Sequence, residues 1–129
     1  MANSFTAFAS AVYTALGGTA ATPAAYYGVA PQETIPPYTI FQRMTASDEY
    51  TFDGAGLGAD YMIKVISDRQ WPGKAYDAYG TVHTNIQNAA LTITGYTALR
   101  CERQTTIEFQ DDDRYWHVGG IYRVEGWET

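Results

Sequence analysis

An alternation of apolar and polar residues in the last third of the chain most constrains its fold. From Thr97, apolar residues occupy the odd positions 99, 101, 107 and 109, while charged or amide residues occupy the even positions 100, 102, 104 and 108. After an acidic turn, a second segment keeps its apolar residues on even positions, and Gly119 and Gly120 within it predict a β-bulge. Because strand side chains alternate between faces, these segments predict two antiparallel strands with one face in water. The alternating apolar residues are Leu99, Cys101, Ile107 and Phe109, then Trp116, Val118, Tyr122 and Val124.

Two other segments have helical spacing. A helix is predicted over residues 4–16, with Ser4 as its N-cap and glycines at 17 and 18 to end it. A second helix is predicted from the Trp-Pro-Gly step at 71–73 to about Ala90, since proline is tolerated in a first helical turn. The inward stripes are Phe5, Phe8, Val12 and Leu16 in the first helix, and Tyr76, Tyr79, Val82 and Ile86 in the second.

Between the helices, residues 38–45 and 60–67 alternate with apolar residues on both faces and predict two more strands. Residues 19–37 have no sustained period and are predicted to form an extended arm. Residues 48–59 contain a glycine-rich stretch and are predicted to form a flexible hairpin tip. The expected fold is one α+β domain over residues 1–129, of order α-β-β-α-β-β. Its mostly antiparallel four-stranded sheet is expected to carry both helices on one face.

Charge and size exclude several classes of protein. The chain of 129 residues has 8 basic and 14 acidic side chains and a net charge of −6, which argues against sequence-specific recognition of nucleic acid. The single cysteine, Cys101, forms neither an internal disulfide nor a zinc-ligand cluster. No apolar run is long enough to cross a membrane, and the first residues lack the basic region of a signal peptide.

No residue pattern specifies a catalytic, metal or cofactor site. Glycines at 54, 56 and 58 lie between two predicted strands, whereas a phosphate-binding loop precedes a helix. The three consecutive aspartates from Asp111 lack calcium-loop spacing. His83 and His117 have no carboxylate or cysteine at ligand spacing, and Cys101 is predicted to be a buried, inert thiol. We therefore expect no enzymatic activity, no cofactor and no metal.

The order of elements resembles the tail-completion, or tail-terminator, family of long-tailed bacteriophages. The resemblance covers residues 5–125 and is carried by short motifs. These are Tyr-Tyr-Gly-Val-Ala-Pro-Gln at 26–32, Ile-Pro-Pro-Tyr-Thr-Ile-Phe-Gln-Arg at 35–43, and Thr-Phe-Asp-Gly-Ala-Gly-Leu at 51–57. The chain departs from the family pattern at the Trp-Pro-Gly start of its second helix and in the connection at 105–114.

The resemblance implies a virion protein of the tail or neck, assembled in the host cytoplasm. Six copies would form a ring at the head-proximal end of the tail, stop the growth of the tail tube and meet the head connector. The implied partners are further copies of the chain, the tail-tube protein and the connector or adaptor protein. DNA would pass through the lumen without specific binding, and no membrane is involved.

Two sets of residues are expected to serve such a ring. A lumen that lets DNA slide should be acidic, because lysine or arginine would pair with phosphates. The candidate lining residues are Asp48, Glu49, Asp53, Asp111, Asp112 and Asp113. Apolar residues outside the main register, together with an uncharged N-terminal stretch that ends before Glu33, suggest burial between copies. The candidate inter-subunit residues are Tyr26, Tyr27, Phe41, Phe52, Leu57 and Met62.

Other functions fit the same composition. A head-completion adaptor would share the size and ring symmetry of a tail terminator. A tyrosine-rich module could bind a ligand such as a carbohydrate, and a small enzyme is a third class. Mass in solution separates a ring protein from a monomeric binding module.

Overall fold

In a computed structural model, the chain folds as two helices on one five-stranded sheet. The structure describes residues 4–18, 23–51, 54–67 and 72–129. In chain order, the elements are α1 (Ser4–Leu16), β1 (Ala25–Tyr27), β2 (Tyr38–Thr51), β3 (Gly54–Ser67), α2 (Gly73–Ile86), β4 (Tyr96–Gln110) and β5 (Trp116–Glu128).

The sheet has the strand order β1-β2-β3-β5-β4. Strand β1 pairs with β2 in parallel, and the other three pairs are antiparallel. The predicted four-stranded sheet of order α-β-β-α-β-β is therefore wrong, because the sheet is mixed and has five strands. The missing strand lies inside the predicted arm, where three residues, Ala25–Tyr27, are too few to show alternation.

Both long hairpin strands extend beyond their predicted ends. Strand β2 continues past Thr45 to Thr51, and β3 begins at Gly54 rather than Asp60. Residues 56–59 lie between two partners, since they pair with β2 on one side and with β5 on the other. Pairing on both sides holds a glycine-rich segment as a strand although its own β-propensity is low.

Helix α2 ends at Ile86, four residues before the predicted end. Gln87 has extended backbone angles, and Asn88 has a left-handed φ of 58°. The amide of Asn88 donates to the carbonyl of Cys101 in β4, at 2.8 Å. The chain therefore leaves the helix in order to bind the edge of the sheet.

The predicted bulge at Gly119 and Gly120 is wrong, because both residues pair in regular register with β3 and β4. The irregularities lie instead in β2 at Met44 and in β4 at Leu99 and Gln104. The two bulges in β4 shift its register, and Leu99, predicted on the apolar face, is exposed.

The core lies between the helices and the sheet face that carries Tyr61 and Tyr122, the two largest fully buried side chains. Phe8 and Val12 of α1, with Tyr79 and Ile86 of α2, belong to the same buried cluster. The opposite face, called here the helix-free face, carries Ile40, Met62, Lys64, Ile66 and His117. No helix within the described ranges has the length and apolar character of a membrane span.

Candidate assembly surfaces

The helix-free face has an apolar half and a charged half. Near the β4–β5 turn, an open cavity of about 220 Å³ lies between this face and residues 28–30. Its wall is partly aliphatic, with Val29, Ile40, Met62 and Ile66, and partly polar, with Tyr38, Gln42, Lys64 and His117. Toward the β2–β3 hairpin the same face becomes charged, where Arg123 lies 3.5 Å from Asp60 and Arg100 contacts Glu125.

An edge with exposed apolar side chains, called here the apolar edge, runs beside β1 and the start of α1. Helix α1 has no charged residue, and Phe5 is 68% exposed. The guanidinium of Arg43 lies 4.4 Å from the centroid of the Phe5 ring, and its backbone amide donates to the Tyr27 hydroxyl. Tyr27 and Met44 are each about half exposed. Monomeric proteins seldom leave such clusters in water, so this edge is a candidate contact surface.

The predicted acidic residues lie at opposite ends of the sheet. Asp48 and Glu49 pair through their backbones with Leu57 and Gly56 near the hairpin, whereas Asp111 follows β4 at the far end. The length of β3 separates these ends by about 35 Å. Asp53 lies outside the described residues. The five candidate lining residues that the structure describes therefore form two separate groups.

Asp111 differs from its two neighbours because its carboxylate is bonded within the chain. One oxygen accepts the Tyr115 amide at 3.0 Å, and the other lies 2.7 Å from Nε2 of His117. Burial raises the pKa of Asp111, but the bonds from His117 and Tyr115 outweigh it and lower the pKa overall. Asp112 and Asp113 are exposed in the turn. Asp111 thus holds the turn, while its neighbours face solvent.

The imidazole of His117 is held neutral. Burial lowers its pKa more strongly than the Asp111 bond raises it, and the Lys64 charge lowers it further. The contact with Asp111 is therefore a hydrogen bond donated by Nε2–H rather than an ion pair at neutral pH. In that tautomer Nδ1 is an acceptor, and it is buried without a partner among the described residues. The ring stacks on Phe109, at 4.5 Å between centroids.

The candidate inter-subunit residues divide by burial. Phe41 and Leu57 are buried in the chain's own core. Tyr26 packs edge-to-face on Tyr38, and Tyr27 packs edge-to-face on Phe41. Met62 lines the cavity of the helix-free face. Phe52 lies outside the described residues, so Tyr26, Tyr27 and Met62 are the candidates with described, accessible side chains.

A buried polar network joins α2 to the sheet, and no sequence motif marks its residues. Arg103 donates to the Tyr79 hydroxyl at 3.2 Å, and that hydroxyl lies 2.5 Å from the hydroxyl of Tyr122. The Tyr122 hydroxyl in turn lies 2.7 Å from Nδ1 of His83. Arginine can only donate, so the Tyr79 hydroxyl accepts from Arg103, whereas the Tyr79–Tyr122 and Tyr122–His83 hydrogen bonds can run in either direction.

The surroundings of this network favour the neutral forms of Tyr122 and His83. Burial, followed by the Arg103 charge, lowers the pKa of His83. Burial and the Tyr79 hydrogen bond raise the pKa of Tyr122 far above its usual value. The network therefore contains neutral hydroxyls and a neutral imidazole, which fix α2 on β4 and β5. Within the described residues, no group of three or more His, Cys, Asp or Glu side chains is placed to hold a metal ion.

Stability should fall on mild acidification because both histidines have lowered pKa values. The unfolded chain takes up protons near pH 6.5, whereas the folded chain resists them. The stabilisation is complete above pH 6.5 and is lost as pH falls toward the folded-state values. We expect the melting temperature to fall between pH 7 and pH 5, above the usual carboxylate range. NMR should place both imidazole midpoints below 6.5, and midpoints above 6.5 would contradict the expectation.

The comparisons with known proteins agree with one another. The sequence matches the family described as tail completion protein gp17 over residues 9–124. Among solved structures, a chain from the virion of a native gene transfer agent (GTA) particle superposes with a TM-score of 0.84 at 20% sequence identity. That alignment covers 98% of this chain and 99% of the other, and it shows a shared fold. No curated protein matches the sequence.

The family match extends from α1 into β5 and so includes every element of the fold. It also spans the polar network, the cavity of the helix-free face, and the part of the apolar edge formed by Tyr27, Arg43 and Met44. The chain therefore belongs to the tail completion protein gp17 family and is a structural component of the virion tail.

Proposed function

We propose that six copies of this chain form a ring at the head-proximal end of the tail. The ring ends growth of the tail tube and joins the tail to the head connector, and DNA passes through its lumen. The observation that carries the proposal is the family match over residues 9–124. Two surfaces support it, since both the apolar edge with Phe5 and the apolar half of the helix-free face would be covered by neighbours in an assembly.

Contacts in the ring are heterologous, because the two surfaces lie on different sides of the chain. The apolar edge includes Tyr27 and Met44 beside β1, while Met62 belongs to the helix-free face. Head-to-tail contacts between unlike surfaces close into a ring when the rotation permits. We expect Tyr26, Tyr27 and Met62 to lie at or beside these contacts.

Removing the protein from assembling particles tests the function directly. A tail terminator leaves tube growth unchecked, so its loss should give tails of irregular length and heads without tails. Loss of a head-completion adaptor, the main alternative, should give tails of normal length that remain unjoined. Adding back the purified chain should restore joining. Normal tails and normal joining without the protein would refute both assignments.

The oligomeric state provides a second, independent measurement. Light scattering at tens of micromolar and imaging of assembled particles should show a closed ring, in solution or at the tube end. The isolated chain can remain monomeric if the tube end acts as the template. A monomer in both settings would overturn the proposed ring.

The hairpin acids are proposed to line the lumen, and their charge should control DNA release. Replacing Glu49 with lysine places an ammonium beside passing phosphates, which pair with it and slow the DNA. We expect slower DNA ejection from Glu49→Lys particles, with normal tail joining, in a dye-release assay. Asp77→Lys makes the same charge change on an exposed position of α2 and is the matched control. Equal ejection rates for Glu49→Lys, Asp77→Lys and the unmodified chain would argue against an acidic lumen at the hairpin.

A further inference from the structure

The outer side of β4 carries backbone groups that face away from the sheet. Strand β4 is the last in the order β1-β2-β3-β5-β4, so only one of its sides has a strand partner. Across the β4–β5 turn, the Asp111 amide donates to the Tyr115 carbonyl at 3.0 Å, which directs the backbone groups of Asp111 toward β5. Because backbone groups alternate along an antiparallel strand, those of Thr106 and Glu108 point outward. Neither residue forms an outward backbone hydrogen bond with any described residue.

The chain itself already pairs with an earlier part of this strand. The carbonyl of Cys101 accepts from the Asn88 amide at 2.8 Å, and the Arg103 amide donates to the side chain of Gln87 at 2.9 Å. Gln87 has extended backbone angles, so a short piece of extended chain lies along β4 at this place. Among the described residues this cover ends at Arg103. Residues 105–109, called here the open edge, continue the strand beyond it.

The two faces of the open edge differ in chemistry. On the helix-free face, Phe109 is 45% exposed and stacks on His117, and Ile107 is half-buried on the same face. On the face that carries the helices, Glu108 is exposed and its carboxylate accepts from the Tyr76 hydroxyl. In the described part of the chain that carboxylate has no cationic partner. The open edge thus combines an apolar strip with a negative charge that no described cation neutralises.

That charge selects what can lie beside the open edge. Natural edge strands are protected by proline, a bulge or a charged side chain, and residues 105–109 contain only the charge of Glu108. Opposite charges directly across two strands stabilise the pair, and like charges destabilise it. A second β4 paired about Glu108 would place two carboxylates opposite each other. A strand that brings lysine or arginine to this place would neutralise the carboxylate instead.

We propose that the open edge binds an extended segment of a neighbouring virion protein in which lysine or arginine alternates with aliphatic residues. The segment adds a further strand antiparallel to β4, because antiparallel pairing is the more stable arrangement. A basic residue lies opposite Glu108 and exchanges both backbone hydrogen bonds with it. The aliphatic side chains pack on Ile107 and Phe109. Only the origin of the segment in the virion rests on the proposed function, since the open edge belongs to the isolated chain.

Short synthetic peptides test the recognised features one at a time. Acetyl-Lys-Val-Lys-Val-Lys-Val-amide carries the alternation and the charge, and acetyl-Glu-Val-Glu-Val-Glu-Val-amide reverses the charge. Acetyl-Lys-Lys-Lys-Val-Val-Val-amide keeps the composition of the first peptide without its alternation. In NMR titrations of the full chain, we expect the alternating lysine peptide to bind about fivefold more tightly than either other peptide. Its binding should slow hydrogen exchange at the outward amides of Thr106 and Glu108.

Backbone methylation shows whether the peptide adds as a strand. In the antiparallel arrangement the lysine N–H groups face β4 and the valine N–H groups face water. Methylating the backbone nitrogens of the lysines should therefore abolish the protection of the Thr106 and Glu108 amides. Methylating those of the valines should preserve that protection and is the matched control. An equal loss with either methylated peptide would reject strand addition.

Glu108→Lys shows whether this charge selects the partner. The substitution changes an exposed side chain and should reverse the preference, so that the alternating glutamate peptide binds more tightly than the alternating lysine peptide. Asp77→Lys makes the same charge change at an exposed position of α2. It should leave the preference for the lysine peptide unchanged.

Several results would overturn the proposal. These are no binding, equal affinity for the alternating and the block lysine peptides, or protection confined to residues outside the open edge. Equal effects of Glu108→Lys and Asp77→Lys would show general charge attraction instead. Protection of the Thr106 and Glu108 amides that rises with protein concentration, without peptide, would assign the open edge to a second copy and reject a separate partner. Because the peptides act on the isolated chain, failure here leaves the ring proposal standing, and failure of the ring leaves the binding result intact.

Discussion

Gly119→Ala is expected to destabilise the fold strongly. A Cβ at this position would lie 2.2 Å from the carbonyl oxygen of Ile63 and 2.5 Å from Cα of Lys64. Both atoms belong to the backbone of β3, which is itself paired on both sides and cannot move away. Overpacking in a well-packed interior costs about 1–3 kcal/mol, and a clash with backbone belongs at the upper end. We expect a loss of about 3 kcal/mol in chemical denaturation.

Gly80→Ala is the matched control for that substitution. Gly80 lies inside α2, and a Cβ there would meet no atom within 4 Å. Alanine in a helix interior is favoured over glycine, so this variant should be about 0.5–1 kcal/mol more stable than the unmodified chain. If Gly119→Ala denatures at the same concentration of denaturant as the unmodified chain, β3 and β5 are not as close as described.

Tyr122→Phe should give the second largest effect, because it removes the middle of the buried network. Tyr122 is fully buried, and its hydroxyl bonds both Tyr79 and His83. The substitution keeps the ring but removes one hydrogen bond from the Tyr79 hydroxyl and one from Nδ1 of His83. Leaving buried polar groups unpaired costs about 1–3 kcal/mol. We expect a loss of about 2 kcal/mol in the free energy of unfolding.

Tyr76→Phe is the control for loss of a tyrosine hydroxyl. Tyr76 also lies on α2, but its hydroxyl is exposed and bonds Glu108 at the surface. Water can replace that bond, so the variant should denature like the unmodified chain. If Tyr122→Phe and Tyr76→Phe behave alike, the network does not contribute to holding α2 on the sheet.

Residue spacing along the chain predicted those elements that are defined by the spacing of neighbouring residues. The spacing of Phe8, Val12 and Leu16, followed by glycines, predicted α1 with its observed ends, because an amphipathic helix is defined by its own spacing. Phe5 shares that spacing but is exposed. The end of α2 was missed because the Asn88 amide binds the β4 carbonyl of Cys101, a contact between distant residues. Strand β1 was missed because it exists only through pairing with β2.

Surface chemistry was less accessible to sequence reasoning than the fold. The acidic residues could be named, but their separation onto two ends follows from the strand order. Lys64 and His117 are far apart in sequence and form no motif, although β3–β5 pairing brings them to one cavity. Tyr79 was recognised as an inward residue of α2. Its link to Tyr122 and Arg103 required knowledge of which strands lie beneath the helix.

The position of β5 between β3 and β4 has a consequence for how the chain folds. Strand β3 pairs across the centre of the sheet with residues at least 49 positions later, from Ser67 with Trp116 to Gly56 with Trp127. Pairing between such distant strands closes a large loop, and the chain loses conformational entropy before the new contacts offset that loss. Folding dominated by long-range pairing is therefore slow. A nascent chain whose β5 has not yet left the ribosome lacks both the central strand pairing of the sheet and His117. It therefore cannot yet present the helix-free face, so assembly must follow synthesis of β5 rather than accompany it.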